Sequence, residues 1–149
     1  MRLRPTINLF LTGKQLAIAG VSRDPKKFGN LLFWTLKSKG YHVFPVNPNA
    51  TVIGDNVCYR NLKDLPVEVE NLLIVTPKKD TEKVMKEAIE RGFKNIWIQN
   101  GCETAEAIKL AHNNHINLVS GCCILMYANP KGFHKLHQMV TKWIGKYEN

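Results

Sequence analysis

Short apolar runs rich in valine and isoleucine alternate along the chain with longer segments of helical spacing. The apolar runs cover residues 16–20, 41–46, 71–76, 95–99 and 116–119. Strands that are separated by helices of about ten residues pair in parallel through right-handed crossovers. The pattern therefore predicts an α/β fold with Rossmann-like architecture, in which helices cover both faces of an open parallel sheet of about five strands.

The segments between the runs carry recognisable helix boundaries. Lys37, Lys39 and Gly40 form the basic last turn and glycine stop of the first helix, and Asp80 or Thr81 is the expected N-cap of the second, which Gly92 ends. A third helix is expected over residues 103–112, and a short extra one over residues 6–11. A further C-terminal helix is expected from apolar residues at spacings of three and four, namely Phe133, Leu136, Val140 and Trp143.

Length and charge limit the possible functions. The 149 residues correspond to one domain, residues 1–149, with no room for a second catalytic domain. The net charge of +9 favours an anionic partner, which could be nucleic acid, acidic lipid or a phosphorylated small molecule. No apolar run approaches the roughly 18 residues of a membrane-spanning helix, and no cleavable leader is recognisable. We therefore expect a cytoplasmic protein with reduced cysteines and no membrane partner.

The turn after the first strand is the strongest candidate site. In open parallel sheets, ligands bind beyond the carboxyl ends of the strands. Gly20 permits a close backbone approach and Ser22 adds a hydroxyl, while Arg23, Lys26 and Lys27 bring positive charge to the start of the next helix. Free amides, a helix dipole and cations together suit a diphosphate. The alternative is that Gly20 only turns the chain and the lysines are solvated.

The residues after the second strand disfavour a dinucleotide enzyme. NAD sites have an acidic residue there for the ribose, and NADP sites have an arginine. This chain instead has Asn47, Pro48 and Asn49, and no cation follows before Arg60. An NAD(P)-binding enzyme or enzyme subunit is therefore kept only as the first alternative.

Four motifs together point to a family. They are GVSRDP at residues 20–25, KFGN at 27–30, PVNP at 45–48 and WIQ at 97–99. This set resembles the CoA-binding domain family, whose members are small stand-alone proteins similar to the CoA-binding domain of the succinyl-CoA synthetase alpha subunit. The resemblance covers about residues 10–125. The segment carrying that synthetase's phosphorylated histidine has no counterpart here.

The resemblance implies that CoA or an acyl-CoA lies across the strand ends. Its diphosphate would lie at the first turn, its adenine after strand two and its pantetheine arm toward strand four. The implied binding residues are Gly20, Val21, Ser22, Arg23, Lys27, Phe28, Gly29, His42, Asn47, Pro48, Val75, Thr76, Pro77, Ile98, Gln99 and Asn100. Relatives often have lysine or arginine at the position of His42, and an imidazole carries less positive charge at neutral pH, so its expected role is weaker.

No set of residues combines a nucleophile, a base and an oxyanion site, so no reaction is predicted. The expected function is CoA binding as a carrier, sensor or partner subunit without its own chemistry. A homodimer or a partner protein is left open. A nucleic-acid-binding module is the second alternative; it is disfavoured because the cations are scattered among acids and no recognised nucleic-acid motif occurs.

Three cysteines and two histidines are candidates for further sites. Cys122 and Cys123, with His134 and His137, are metal-ligand types, but there is no Cys-x-x-Cys pair and no metal is predicted. Cys102 and Cys122 follow strands four and five, where a pantetheine thiol could reach them. A mixed disulfide with CoA is therefore a hypothesis.

Overall fold

The computed structural model describes residues 3–128. The helices and strands are, in chain order, α1 (Leu3–Thr12), β1 (Gln15–Ala19), α2 (Phe28–Ser38), β2 (His42–Val46), β3 (Val52–Ile53), β4 (Asn56–Val57), β5 (Asn71–Ile74), α3 (Lys78–Arg91), β6 (Asn95–Gln99), α4 (Ala105–Asn113) and β7 (Asn117–Cys122). Single 3₁₀ turns lie at Leu62–Asp64 and Ile124–Met126. No helix within this range is long and apolar enough to span a bilayer.

The five long strands form one parallel sheet in the order β2-β1-β5-β6-β7. This confirms the predicted Rossmann-like α/β sheet. The chain leaves β1 toward β2 on one side and then crosses back to β5 on the other. Strand order therefore reverses between β1 and β5, and in such sheets the ligand crevice lies outside the carboxyl ends of these two strands.

Side chains of each strand alternate between two cores, one on each face of the sheet. From β1, Leu16 and Ile18 join the core packed by α1 and α2, whereas Ala17 and Ala19 join the core packed by α3 and α4. These four residues are at most 3% exposed. The two cores explain why the strands are nearly continuous apolar runs, and they confirm the predicted helices on both faces.

Some local predictions need correction. Helix α3 begins at Lys78 with Pro77 as its N-cap residue, not with Asp80 or Thr81. Thr81 lies inside the helix, where its hydroxyl donates to the Cys102 carbonyl oxygen at 2.7 Å. The two-stranded hairpin of β3 and β4 was not predicted, since two-residue strands carry no periodicity. The predicted C-terminal helix lies outside the described residues.

A row of asparagines joins the starts of the three strands β5, β6 and β7. The Asn117 amide donates to the Oδ1 of Asn95, and the Asn95 amide donates to the Oδ1 of Asn71, each at 3.0 Å. The Asn71 amide then donates to the backbone carbonyl oxygen of Phe10 in α1 at 2.9 Å. This row connects α1 to the edge of the sheet where the strands start, opposite their carboxyl ends.

We predict that Asn71→Ala lowers the free energy of unfolding by about 2 kcal/mol. Asn71 is 4% exposed, and its removal leaves the Phe10 carbonyl and the Asn95 amide without a partner. Asn117→Ala is the matched control at the exposed end of the row, and it should cost less than about 1 kcal/mol. Urea unfolding measures both, and equal losses would contradict the role given to Asn71.

Candidate ligand-binding site

The turn after β1 crosses directly over the end of β5. Gly20 has φ +104°, and a Cβ at this position would overlap the carbonyl oxygen of Val75. The Val75 amide donates to the Ala19 carbonyl oxygen at 2.8 Å, which fixes the approach. A Cβ on Gly29 would in turn overlap the carbonyl oxygen of Gly20. Glycine is therefore required at both positions to bring the start of α2 against the strand ends.

Two buried or half-buried amides hold the orientation of the turn. The Asn47 side-chain amide donates to the Val21 carbonyl oxygen, and the Asn30 side-chain amide donates to the Ser22 carbonyl oxygen, each at 2.8 Å. In a planar trans peptide the N–H points opposite to the C=O. The N–H groups of Ser22 and Arg23 therefore point away from these asparagines, and neither is paired within residues 3–128.

The start of α2 adds further donors. Its N-cap residue Lys27 makes no side-chain cap, and the first turn of the helix contains no acidic residue. The first-turn N–H groups of Gly29 and Asn30 have no acceptor within the helix, because intrahelical bonding begins with the Leu31 N–H to the Lys27 carbonyl oxygen. The positive end of the helix dipole lies there as well.

The loop between β1 and α2 carries three exposed cations and one acid, Asp24, whose carboxylate bonds to the backbone of the loop itself. Arg23, Lys26 and Lys27 are exposed. The Asp24 carboxylate accepts the Lys26 N–H at 2.9 Å, and the Ser22 hydroxyl oxygen accepts the Asp24 N–H at 3.0 Å. The loop therefore supplies positive charge on a backbone that its own hydrogen bonds hold in shape. The arrangement can hold a diphosphate.

The polar residues at the ends of β5 and β6 are engaged inside the protein. Thr76 is 7% exposed and its hydroxyl pairs with that of Thr81 at 2.9 Å. Gln99 is 3% exposed, and its Oε1 accepts the Ile124 N–H at 3.2 Å. Ile98 is fully buried in the core beside α3 and α4. These three residues shape the edge of the sheet from within.

Four other predicted residues lie at the ends of β5 and β6 and at the start of α2, and they differ in exposure. Val75 is half-buried at the β5 end, while Pro77 and Asn100 are exposed there and at the β6 end. Half-buried Phe28 opens α2. The structure thus brings the residues of all four strand ends to one edge of the sheet.

His42 is not brought to this edge. It is the first residue of β2 and pairs with Gln15 at the start of β1. Four strand residues, roughly 13 Å, separate it from Val46 at the carboxyl end. Its ring lies 4.4 Å from that of Phe44, and it lines a cavity of about 270 Å³ on the outer edge of the sheet. Its predicted phosphate contact does not fit this placement, so His42 is left out of the site.

Asn47 and Arg60 lie next to each other after the end of β2. Asn47 uses both ends of its side chain within the protein, because its Oδ1 also accepts the Asn49 N–H at 2.8 Å. It therefore positions the turn. Arg60 lies beside it, with its Nε donating to the Pro48 carbonyl oxygen at 3.2 Å. No local pattern signals this proximity, which depends on the pairing of distant segments.

The cysteines near the strand ends are protonated thiols at neutral pH. Burial raises the pKa of the Cys102 thiol to about 11, and the Glu103 carboxylate adds to this rise while Lys78 opposes it. Burial also raises the pKa of Cys122, with smaller contributions from Cys123 and Glu103. Because the thiolate is the nucleophile, this environment slows the attack of either cysteine on a disulfide such as that of oxidised CoA, the step that would form a mixed disulfide and release a CoA thiolate.

A metal site is not evident in the described part of the chain. No group of three or more histidine, cysteine, aspartate or glutamate side chains there is arranged to hold an ion. His134 and His137 lie outside that part, so their role stays open.

Comparison with known proteins identifies the family. The model of the "CoA binding domain" family matches residues 14–129. The chain belongs to the CoA binding domain family. This confirms the resemblance drawn from the turn motifs, and the matched region contains the whole parallel sheet.

Relatives of this CoA binding domain include longer enzymes and small proteins. The alpha subunit of ADP-forming acetate–CoA ligase II from Pyrococcus furiosus is 29% identical over an alignment of 129 residues that covers 79% of this chain and 28% of that subunit. This chain therefore spans less than a third of that relative. A conserved hypothetical protein from the same organism superposes with a TM-score of 0.71 at 39% identity, covering 74% of this chain and 95% of that one. A hypothetical protein from Pyrococcus horikoshii gives 0.74 at 26% identity, covering 83% and 87%.

We predict that the CoA binding domain tolerates no side chain at the two close approaches. Gly20→Ala adds left-handed strain to an overlap with Val75, and it should lower the free energy of unfolding by about 3 kcal/mol. Gly29→Ala tests the overlap alone, with an expected loss of about 1 to 3 kcal/mol.

Gly40→Ala is the control for backbone strain in these variants. Gly40 has φ +95° and no atom within 4 Å of an added Cβ. Its expected cost is about 1 kcal/mol from strain alone. Chemical denaturation measures all three variants, and a Gly20→Ala loss no larger than that of Gly40→Ala would contradict the close packing.

We also predict slow alkylation of Cys102 at neutral pH. The rate of its reaction with iodoacetamide should rise about tenfold per pH unit from pH 7 to 10, because the thiolate fraction grows in this way below the pKa. Peptide mass spectrometry follows the site. Glu103→Gln removes a charge that raises this pKa, so it should shift the profile to lower pH. A plateau near pH 9 in the unchanged protein would contradict the assignment.

Proposed function

We propose that this CoA binding domain binds CoA or an acyl-CoA in the crevice between the ends of β1 and β5. The observation that carries the proposal is the pair of peptides locked by Asn47 and Asn30. They aim the N–H groups of Ser22 and Arg23 outward, beside the first turn of α2. Backbone donors at a helix start favour phosphate groups. The CoA diphosphate would accept these hydrogen bonds.

Charge supports the same ligand. CoA carries a 3′-phosphate besides its diphosphate, so it needs more cations than a dinucleotide with one diphosphate. Arg23, Lys26 and Lys27 are exposed around the turn. Helix α3 adds a net charge of only +1, because its five lysine and arginine residues are interspersed with four acids.

The ends of the neighbouring strands suggest how CoA extends from the turn. The adenosine would lie on the β2 side, beside Pro48. The pantetheine arm would run the other way, past half-buried Val75 and exposed Pro77 toward exposed Asn100. Thr76, Ile98 and Gln99 would support this path from beneath without touching the ligand.

An NAD(P) enzyme is the weaker alternative. The chain between Val46 and Asp55 contains no acidic residue to hold a ribose 2′-hydroxyl. Asn47, which follows β2 directly, is committed to the turn. A nucleic-acid-binding role, the second alternative, receives no support from the family or from the site geometry.

The name of a relative supports a carrier or partner-subunit role. The relative from Pyrococcus furiosus is named as one subunit of an acetate–CoA ligase, and this chain matches 28% of it. Residues 3–128 offer no nucleophile with an adjacent base at the turn. We therefore propose a single cytoplasmic domain, residues 1–149, that binds CoA without chemistry of its own and presents it to a partner protein.

The proposal predicts selective stabilisation by CoA. A bound ligand raises the unfolding midpoint in proportion to its affinity and concentration. Millimolar CoA should raise the Tm by several degrees, while NAD and NADP should leave it nearly unchanged. A rise in Tm with NAD and none with CoA would contradict the proposed CoA site and favour the NAD(P) alternative.

Lys27→Glu tests the position of the diphosphate. The change places a negative charge at the N-cap of α2, so it should weaken CoA binding about tenfold or more in isothermal titration calorimetry. Lys94→Glu is the matched control, because Lys94 is exposed and precedes β6 at the opposite edge of the sheet. Equal affinities for both variants would place the diphosphate elsewhere.

A further inference from the structure

The segment after the β3–β4 hairpin returns to the carboxyl end of β2. Tyr59 forms an isolated parallel bridge with Val46. Its N–H donates to the Pro45 carbonyl oxygen, and its carbonyl oxygen accepts the Asn47 N–H, each at 2.9 Å. The next residue, Arg60, therefore leaves the sheet at the point where β2 ends, although it is 14 positions further along the chain.

The guanidinium group of Arg60 is hydrogen-bonded through its Nε, and its terminal N–H groups are available to a ligand. Its Nε donates to the Pro48 carbonyl oxygen at 3.2 Å. A guanidinium has five N–H donors, so four remain after this bond. Across the described residues none of these four is paired, and no carboxylate forms a salt bridge with Arg60. The side chain is exposed.

This place in the fold is where nucleotide-binding sheets of this class recognise the sugar. In doubly wound sheets that bind dinucleotides, the residue beyond the end of the second strand contacts the ribose, and an arginine nearby accommodates the 2′-phosphate of NADP. An arginine in this place could receive the ribose 3′-phosphate of CoA in the same way. The other side chains at this point are poorly suited, because Asn47 is fully engaged and Pro48 has no donor. CoA differs from dephospho-CoA only in its ribose 3′-phosphate.

We propose that Arg60 binds the ribose 3′-phosphate and makes the site select CoA over dephospho-CoA. This inference rests on the proposed function. The free N–H pair matches two phosphate oxygens, and such bidentate pairs are strong and directional. The bond to Pro48 reduces the freedom that the side chain would otherwise lose on binding.

The test measures the Kd of CoA and of dephospho-CoA by isothermal titration calorimetry in low salt. The unchanged protein should prefer CoA by about tenfold or more, as one charged hydrogen-bonded contact provides. Arg60→Gln should remove this preference by weakening CoA binding alone. Arg60→Lys keeps the positive charge but cannot form the bidentate contact, so it should retain part of the preference for CoA.

Lys63→Gln is the matched control. It removes the same charge three residues further on, from an exposed position in the 3₁₀ turn Leu62–Asp64. It should leave the ratio of the two Kd values unchanged. A thermal melt of each variant without ligand should match that of the unchanged protein, since Arg60 contributes a single exposed hydrogen bond to the fold.

The possible outcomes separate the two proposals. If Arg60→Gln weakens both ligands equally, or neither, the role given to Arg60 is overturned while CoA binding stands. If Lys63→Gln removes the preference for CoA as fully as Arg60→Gln does, the preference comes from the overall positive charge. The proposed contact between Arg60 and the 3′-phosphate is then overturned. If the unchanged protein binds neither ligand, the proposed function is overturned and the role of Arg60 with it.

Discussion

The close contact of three backbone segments at Gly20 sets the geometry of the whole binding edge. The turn after β1 lies against the Val75 carbonyl, and the start of α2 lies against the carbonyl of Gly20 itself. A side chain at Gly20 or Gly29 would push these segments apart. Because they meet, the ends of β1 and β5 and the N-terminus of α2 share one small volume, where strand order reverses. This packing brings backbone N–H donors of the turn and of the first turn of α2 close together.

Some polar groups around that contact are hydrogen-bonded within the protein, and others remain available to a ligand. Asn30 and Asn47 bind carbonyl oxygens, which turns the opposite N–H groups outward. Thr76 and Gln99 complete internal networks, and no buried side-chain nitrogen or oxygen is left unsatisfied among the described residues. The groups that remain available are backbone N–H donors, exposed cations and the unpaired N–H groups of Arg60. All of them suit phosphate groups, so they favour CoA over a ligand whose ribose is held by a carboxylate, such as NAD.

The parallel sheet, its two cores and the glycine turn could be predicted from the sequence, because apolar periodicity and helix boundaries are local signals. The positions of Asn47, Thr76 and Gln99 at the ends of their strands could also be predicted, but whether an amide or hydroxyl faces a ligand or the protein depends on partners distant in sequence. His42 entered the predicted site through the resemblance alone, although the predicted strand over residues 41–46 already places it at the strand start. The position of Arg60 beside the end of β2 could not be predicted, since it depends on the bridge between Val46 and Tyr59.

Backbone amide chemical shifts during a CoA titration test the central claim most directly. They report on the donors themselves and need no substitution. The account predicts that the largest changes in the ¹H–¹⁵N spectrum fall on Ser22, Arg23, Gly29 and Asn30, with smaller ones along the ends of β2, β5 and β6. Changes centred instead on the starts of the strands, or on the cavity beside His42 and Phe44, would contradict it.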